Sequence, residues 1–227
     1  MNLKIAIVIG TRAELIKTFP VMLELRKRKI PYYFVHTGQH NLKDLCRDFS
    51  VKEPDVILTE ELKNKSKFKG IGLRGIIWNL DIVRKIRKEL LNLKYLKYVL
   101  YHGDTMTTAS AAIASSRLLN PFKKYKSVHI EAGLRSENLF EPFPEEISRI
   151  IADRLSDILF AVSKRAERNL RKYRSKKKIY LVGNTIIDSV YIAYNLSIKR
   201  KIKPLSNDKF ALLGVTVFYL IATHFVG

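Results

Sequence analysis

Seven short runs rich in β-branched and aromatic residues punctuate this chain: KIAIVI (4–9), YYFVH (32–36), DVILT (55–59), YVLYH (98–102), SVHIE (127–131), ILFAV (158–162) and KIYLV (178–182). Between most of them lie amphipathic stretches of helical period, at 15–28, 73–91, 107–118, 145–155 and 185–198. Strands alternating with helices of this length predict right-handed βαβ units. The expected fold is therefore α/β, a Rossmann-like parallel sheet with helices on both faces. A chain of 227 residues with 47% apolar content can fill the core such a sheet needs, and it carries no internal repeat or low-complexity tract.

The formal charge of +21 raises the question of a polyanionic partner. The basic residues fall in RKRK (26–29), KNKSKFK (63–69), VRKIRKEL (83–90), KRAERNLRKYRSKKK (164–178) and IKRKIK (198–203), interleaved with apolar residues on helical or loop stretches. That pattern reads as a solvated basic surface, and with no nucleic-acid motif present no specific nucleic-acid partner is expected. Cys46, the single cysteine, excludes an internal disulfide framework. The opening MNLKIAIVIG lacks the long apolar region and cleavage site of a secretory signal, so the cytoplasm is the expected compartment.

Ligands of open α/β sheets bind beyond the carboxyl ends of the strands. The residues following the apolar runs are correspondingly polar: GTRAELIK (10–17), TGQH (37–40), HGDT (102–105), EAGLRS (131–136) and GNT (183–185). Each contains a glycine, which permits close backbone approach. Taken singly, each admits a structural reading: Gly-Thr-Arg as a helix start, His102 as a satisfied strand-end histidine, Pro-Glu-Glu (144–146) as a first helical turn. No GxGxxG follows the first run and no GxxxxGK[ST] occurs, which argues against dinucleotide and P-loop chemistry.

The ordered set GTRAE, TGQH, HGDT, HIEAGLRS, PFPEEISR and VGNTIID resembles the non-hydrolysing UDP-N-acetylglucosamine 2-epimerase family, over residues 3 to about 195. The resemblance implies the first half of a GT-B architecture, in which two Rossmann-like halves close on a UDP-sugar. It implies conversion of UDP-N-acetylglucosamine to UDP-N-acetylmannosamine by elimination and re-addition of UDP. Such chemistry needs two positioned acid/base groups for the proton at C2. Asp104, Glu131 and Glu145 match the family's acidic positions and are the expected catalytic residues. Arg12 and Lys17 match cationic positions suited to the departing diphosphate, and Gln39, His40, Arg135, Glu146 and Arg149 are expected to orient the sugar or the carboxylates. No cofactor is implied, neither nicotinamide nor metal.

The chain departs from the family pattern at Ala13, where proline is usual, and at Ser148, where asparagine is usual; neither change removes a charged group. The expected organisation is an epimerase-like domain at 1–195, a basic linker at 196–209 and an apolar tail at 210–227. The eighteen uncharged residues of that tail, FALLGVTVFYLIATHFVG, just reach the length of a membrane-spanning helix. Two glycines and the Val-Thr-Val stretch make a truncated or altered start of a second domain the preferred reading over membrane contact. Two functions follow from these expectations. One is an epimerase completed by a second-domain chain or a homo-oligomer; the other is a catalytically silent domain that binds a ligand or partner.

Overall fold

The computed structural model describes residues 3–59, 73–136 and 144–199. The expectation for the tail at 210–227, and most of that for the linker, lie outside these residues. Seven strands, β1 (Ile5–Ile9), β2 (Tyr32–His36), β3 (Val56–Ile57), β4 (Tyr98–His102), β5 (Lys126–Ala132), β6 (Ile158–Ala161) and β7 (Lys178–Leu181), form one sheet in the order β3-β2-β1-β4-β5-β6-β7. Every pairing is parallel. All seven apolar runs are thus strands, although DVILT contributes only two ladder residues.

The helices are α1 (Arg12–Lys27), α2 (Lys43–Asp48), α3 (Leu73–Asn92), α4 (Met106–Ala114), α5 (Glu145–Leu155), α6 (Lys164–Leu170) and α7 (Thr185–Lys199), with a 3-10 turn at Arg171–Tyr173. Five coincide with the predicted periodic stretches. The other two, α2 and α6, span six and seven residues, too few turns to leave a periodic signature.

Strand side chains alternate between two cores, as period-2 geometry requires. Ile7 and Ile9 enter the cluster with Leu15, Phe19 and Met22 of α1, whereas Ala6 and Val8 enter the cluster with Ile82 and Ile86 of α3 and with α4. Because α1 and α7 cover one face and α3, α4 and α5 the other, the sheet is doubly wound. α4, MTTASAAIA, is built of small residues and buries Thr107 to Ala112 and Ala114 between α3 and α5.

Pro20 lies inside α1 and cannot donate to the carbonyl of Ile16 one turn back. The hydroxyl of Ser189 on α7 lies 2.6 Å from that carbonyl and replaces the missing donor. The chain order places β1 beside β4, so the direction of winding reverses between them. That crevice is where a doubly wound sheet binds its ligand.

Candidate active site

Gly10 leaves β1 at this crevice, and a Cβ there would sit 2.0 Å from Thr107 Oγ1 and 2.6 Å from Thr37 Oγ1. Glycine is needed for the β1, β2 and β4 loops to meet. Thr11 then caps α1: its hydroxyl accepts from the Glu14 amide at 3.2 Å while the Glu14 carboxylate accepts from the Thr11 amide at 2.7 Å, a capping box.

The Glu14 carboxylate extends this box across the crevice. It also accepts from the Gly10 amide at 2.7 Å and from the hydroxyls of Thr105 at 2.5 Å and Thr108 at 3.1 Å. Burial pushes its pKa up, and those donors pull it back down without cancelling the rise. Sequence reasoning did not select Glu14, although the Thr-x-x-Glu spacing of a capping box was visible.

Glu131 stands at the end of β5, where the register against β6 shifts between Ile130 and Ala132. Its φ is +70°, a left-handed conformation that costs a glutamate on the order of 1 kcal/mol or more. The resulting bulge turns its carboxylate toward the crevice. Oε2 accepts from Lys17 Nζ of α1 at 2.8 Å, and Oε1 lies 3.4 Å from the Asn184 amide. His102, the last residue of β4, places Nδ1 3.5 Å from the same Oε2 and Nε2 3.2 Å from Thr185 Oγ1. Burial, and after it Lys17, holds the His102 pKa well below the ordinary histidine range, so this ring is neutral at pH 7.

A second carboxylate, Asp104, follows Gly103 in the β4–α4 turn and forms an ion pair with Arg149 Nη2 of α5. Arg149 Nη1 also reaches Glu146 at 3.1 Å, and Glu146 accepts from the Ser136 amide at 3.1 Å and lies 3.8 Å from Arg135 Nε. Arg135 donates to Asp153 at 2.7 Å, and the other Asp153 oxygen lies 2.7 Å from His129 Nδ1. His129 Nε2 donates to the Gly103 carbonyl at 2.8 Å, which closes a ring of contacts running from the β4 turn through β5 and α5 and back to Asp104. Burial alone would raise the Asp153 pKa, but His129 and Arg135 outweigh it and hold the carboxyl below its ordinary range. His129 lies inside the fifth apolar run and Asp153 in the helical stretch 145–155, yet nothing in their spacing marked them as partners.

The remaining expected residues lie at the same end of the sheet. Glu145 opens α5, and its Oε2 is buried with no hydrogen-bond partner among the described residues. Arg12 opens α1, and its side chain forms no hydrogen bond or ion pair among them. Gln39 Oε1 is 3.3 Å from Thr107 Oγ1 and so touches the crevice. His40 instead lines a cleft of about 650 Å³ with His36, Gly38, Asn41, Glu53 and Thr59, beyond the ends of β2 and β3. The crevice therefore presents Glu131 and Asp104, each already facing a cation, beside the capped carboxylate of Glu14, with Arg12 at the start of α1. Such a set can exchange a proton with a bound molecule and compensate negative charge that develops on it.

The family model described as UDP-N-acetylglucosamine 2-epimerase matches residues 23–224. A UDP-N-acetylglucosamine 2-epimerase of Methanococcus maripaludis is 37% identical over 203 residues, which are 87% of this chain and 50% of that protein. Among solved structures, the UDP-GlcNAc 2-epimerase from Neisseria meningitidis bound to UDP-GlcNAc superposes with a TM-score of 0.73 at 32% identity, over 88% of this chain and 52% of that one. The enzyme from Methanocaldococcus jannaschii gives 0.69 at 32% identity, with 88% and 52% covered. The chain spans about half the length of the curated relatives it matches.

Proposed function

Because the chain belongs to the UDP-N-acetylglucosamine 2-epimerase family, we propose that it supplies the acid/base half of a site converting UDP-N-acetylglucosamine to UDP-N-acetylmannosamine. In this reading one carboxylate removes the proton from C2 as the C1–O bond to UDP breaks, leaving a glycal. UDP then adds back at C1 while a proton is delivered to the opposite face of C2. Glu131 and Asp104 are the principal acid/base pair, with Glu145 as the third expected carboxylate. Arg12 and Lys17 compensate the charge released on the diphosphate. Arg135, Glu146 and Arg149 hold Asp104 in place, and Gln39 faces the approaching ligand after β2, with His40 in the neighbouring cleft.

The observation that carries this reading is the placement of Glu131: a glutamate held at positive φ on a bulge, aimed at the topological switch point and opposed by Lys17. Strained backbone of this kind persists where surrounding structure fixes it, and it clusters at functional sites. The relatives are about twice as long, so a second Rossmann-like half, from a separate chain or a companion segment, completes the site. The test is to fuse the chain to the carboxyl-terminal half of the M. maripaludis relative and assay UDP-N-acetylglucosamine by NMR. Glu131→Gln and Asp104→Asn are expected to lower turnover by on the order of 100-fold each. A folded fusion that binds UDP yet yields no product would instead favour a catalytically silent ligand-binding domain.

A further inference from the structure

Two groups compete for one oxygen of Glu131. Lys17 Nζ holds Oε2 at 2.8 Å, and His102 Nδ1 waits 3.5 Å from the same atom, buried and without a hydrogen-bond partner. Because the carboxylate of Glu131 is the ion-pair partner of that ring nitrogen among the described residues, the arrangement free of lone-pair repulsion puts the proton on Nδ1 and lets Nε2 accept from the Thr185 hydroxyl. A buried donor left unsatisfied is costly, so it has a standing incentive to capture the oxygen beside it.

We propose that Lys17 and His102 form a latch on Glu131: an anion that draws Lys17 away transfers Oε2 to the Nδ1–H of His102. His102 is then a positioning residue, acting on the reaction only through Glu131. The latch keeps the carboxylate paired with a cation while the crevice is empty and releases it from that cation when a diphosphate arrives. A carboxylate freed from a lysine is a stronger base, because a facing cation favours the ionised form. Glu131 reorients by side-chain torsion alone, since its backbone is already pinned on the bulge. The other titratable groups near the ring are Asp104, two residues on in the β4 turn, and His129 on β5. His129 is engaged by Asp153 and the Gly103 carbonyl, and Asp104 by Arg149, so neither competes for Oε2. Burial keeps the His102 ring uncharged, so the transfer places a neutral donor where a cation had been.

This inference rests on the anionic-ligand reading above, and the experiment separates the two. Imidazole nitrogen and proton resonances of His102 are followed in the isotopically labelled full chain, with UDP as the probe, alongside Lys17→Met, Lys17→Arg and Glu131→Gln variants. UDP is expected to shift the His102 Nδ1-bound proton downfield. Lys17→Met reproduces that shift with no ligand, Lys17→Arg retains the unliganded position, and Glu131→Gln abolishes the response. If UDP perturbs no amide at Gly10–Lys17 in the fusion with the second half, the nucleotide reading fails, while the Lys17→Met arm in the chain alone still decides the latch. A folded Lys17→Met chain whose His102 resonances match the unaltered chain overturns it, as does bound UDP that leaves them unmoved. Lys17 is partly exposed, and Lys17→Gln gives the same reading should the methionine variant fold poorly.

Discussion

Glu14 gathers three hydroxyls and two backbone amides from the β1–α1 and β4–α4 connections onto one buried carboxylate. Replacing it with alanine removes every one of those acceptor contacts inside the protein, and Glu14→Ala is expected to destabilise the chain by at least about 2 kcal/mol in chemical denaturation. A cost near zero would mean that water already serves those donors. Asp153 offers a pH test with a defined sign. Its folded pKa is lowered, so its contribution is present above the unfolded value near 4 and is lost as pH falls through the lowered one. The stability difference between the unaltered chain and Asp153→Asn should therefore shrink from pH 7 to pH 3; a difference independent of pH contradicts the carboxylate's role. Neither residue was selected from the sequence, because what distinguishes them is contact with elements 18 to 94 positions away rather than local spacing. Glu131 and Asp104 were singled out through the family resemblance, and both stand at strand ends, where a doubly wound sheet binds its ligand. The bulge that aims Glu131 was not legible, because a register shift belongs to the pairing of two strands and not to either sequence alone.

Helix α1 shows how one element's defect is repaired by another. Pro20 leaves the Ile16 carbonyl without its helical donor, and Ser189 of α7 takes that place. Ser189→Ala should cost about 1–2 kcal/mol, the usual penalty of a buried acceptor left unpaired. Pro20→Ala restores an amide at that position, so the serine change should become nearly neutral in its presence. A double-mutant cycle measured in urea checks this coupling, and strict additivity would show that the two residues do not share the carbonyl. Four of the five longer helices were visible as periodic stretches because a doubly wound sheet gives each an apolar side and a wet side; α4 is buried almost throughout between α3 and α5. α2 and α6 escaped notice at six and seven residues, and 164–178 read mainly as a run of positive charge even though Ala166 and Leu170 are buried under β6. The start of α1 at Arg12, three residues before the predicted start at 15, follows from the Thr11 capping box, a local signal that the apolar periodicity does not contain.

Across the whole molecule, the sheet brings the ends of β1, β4 and β5 to one crevice, with charge on either side of it. An open crevice leaves a glycal intermediate exposed to water, and the chain spans about half the length of the relatives named for this activity. The 227 residues assayed alone are accordingly expected to give no sustained epimerisation, whereas the fusion is active. Sustained product from the purified, monodisperse chain would show that one half is sufficient. The most direct test of the account is to incubate the fusion with UDP-N-acetylglucosamine in deuterated water and examine C2 of the UDP-N-acetylmannosamine formed. Proton removal and return by the crevice carboxylates predicts deuterium at C2, with incorporation slowed along with turnover in Glu131→Gln; product that keeps its original C2 hydrogen would contradict it.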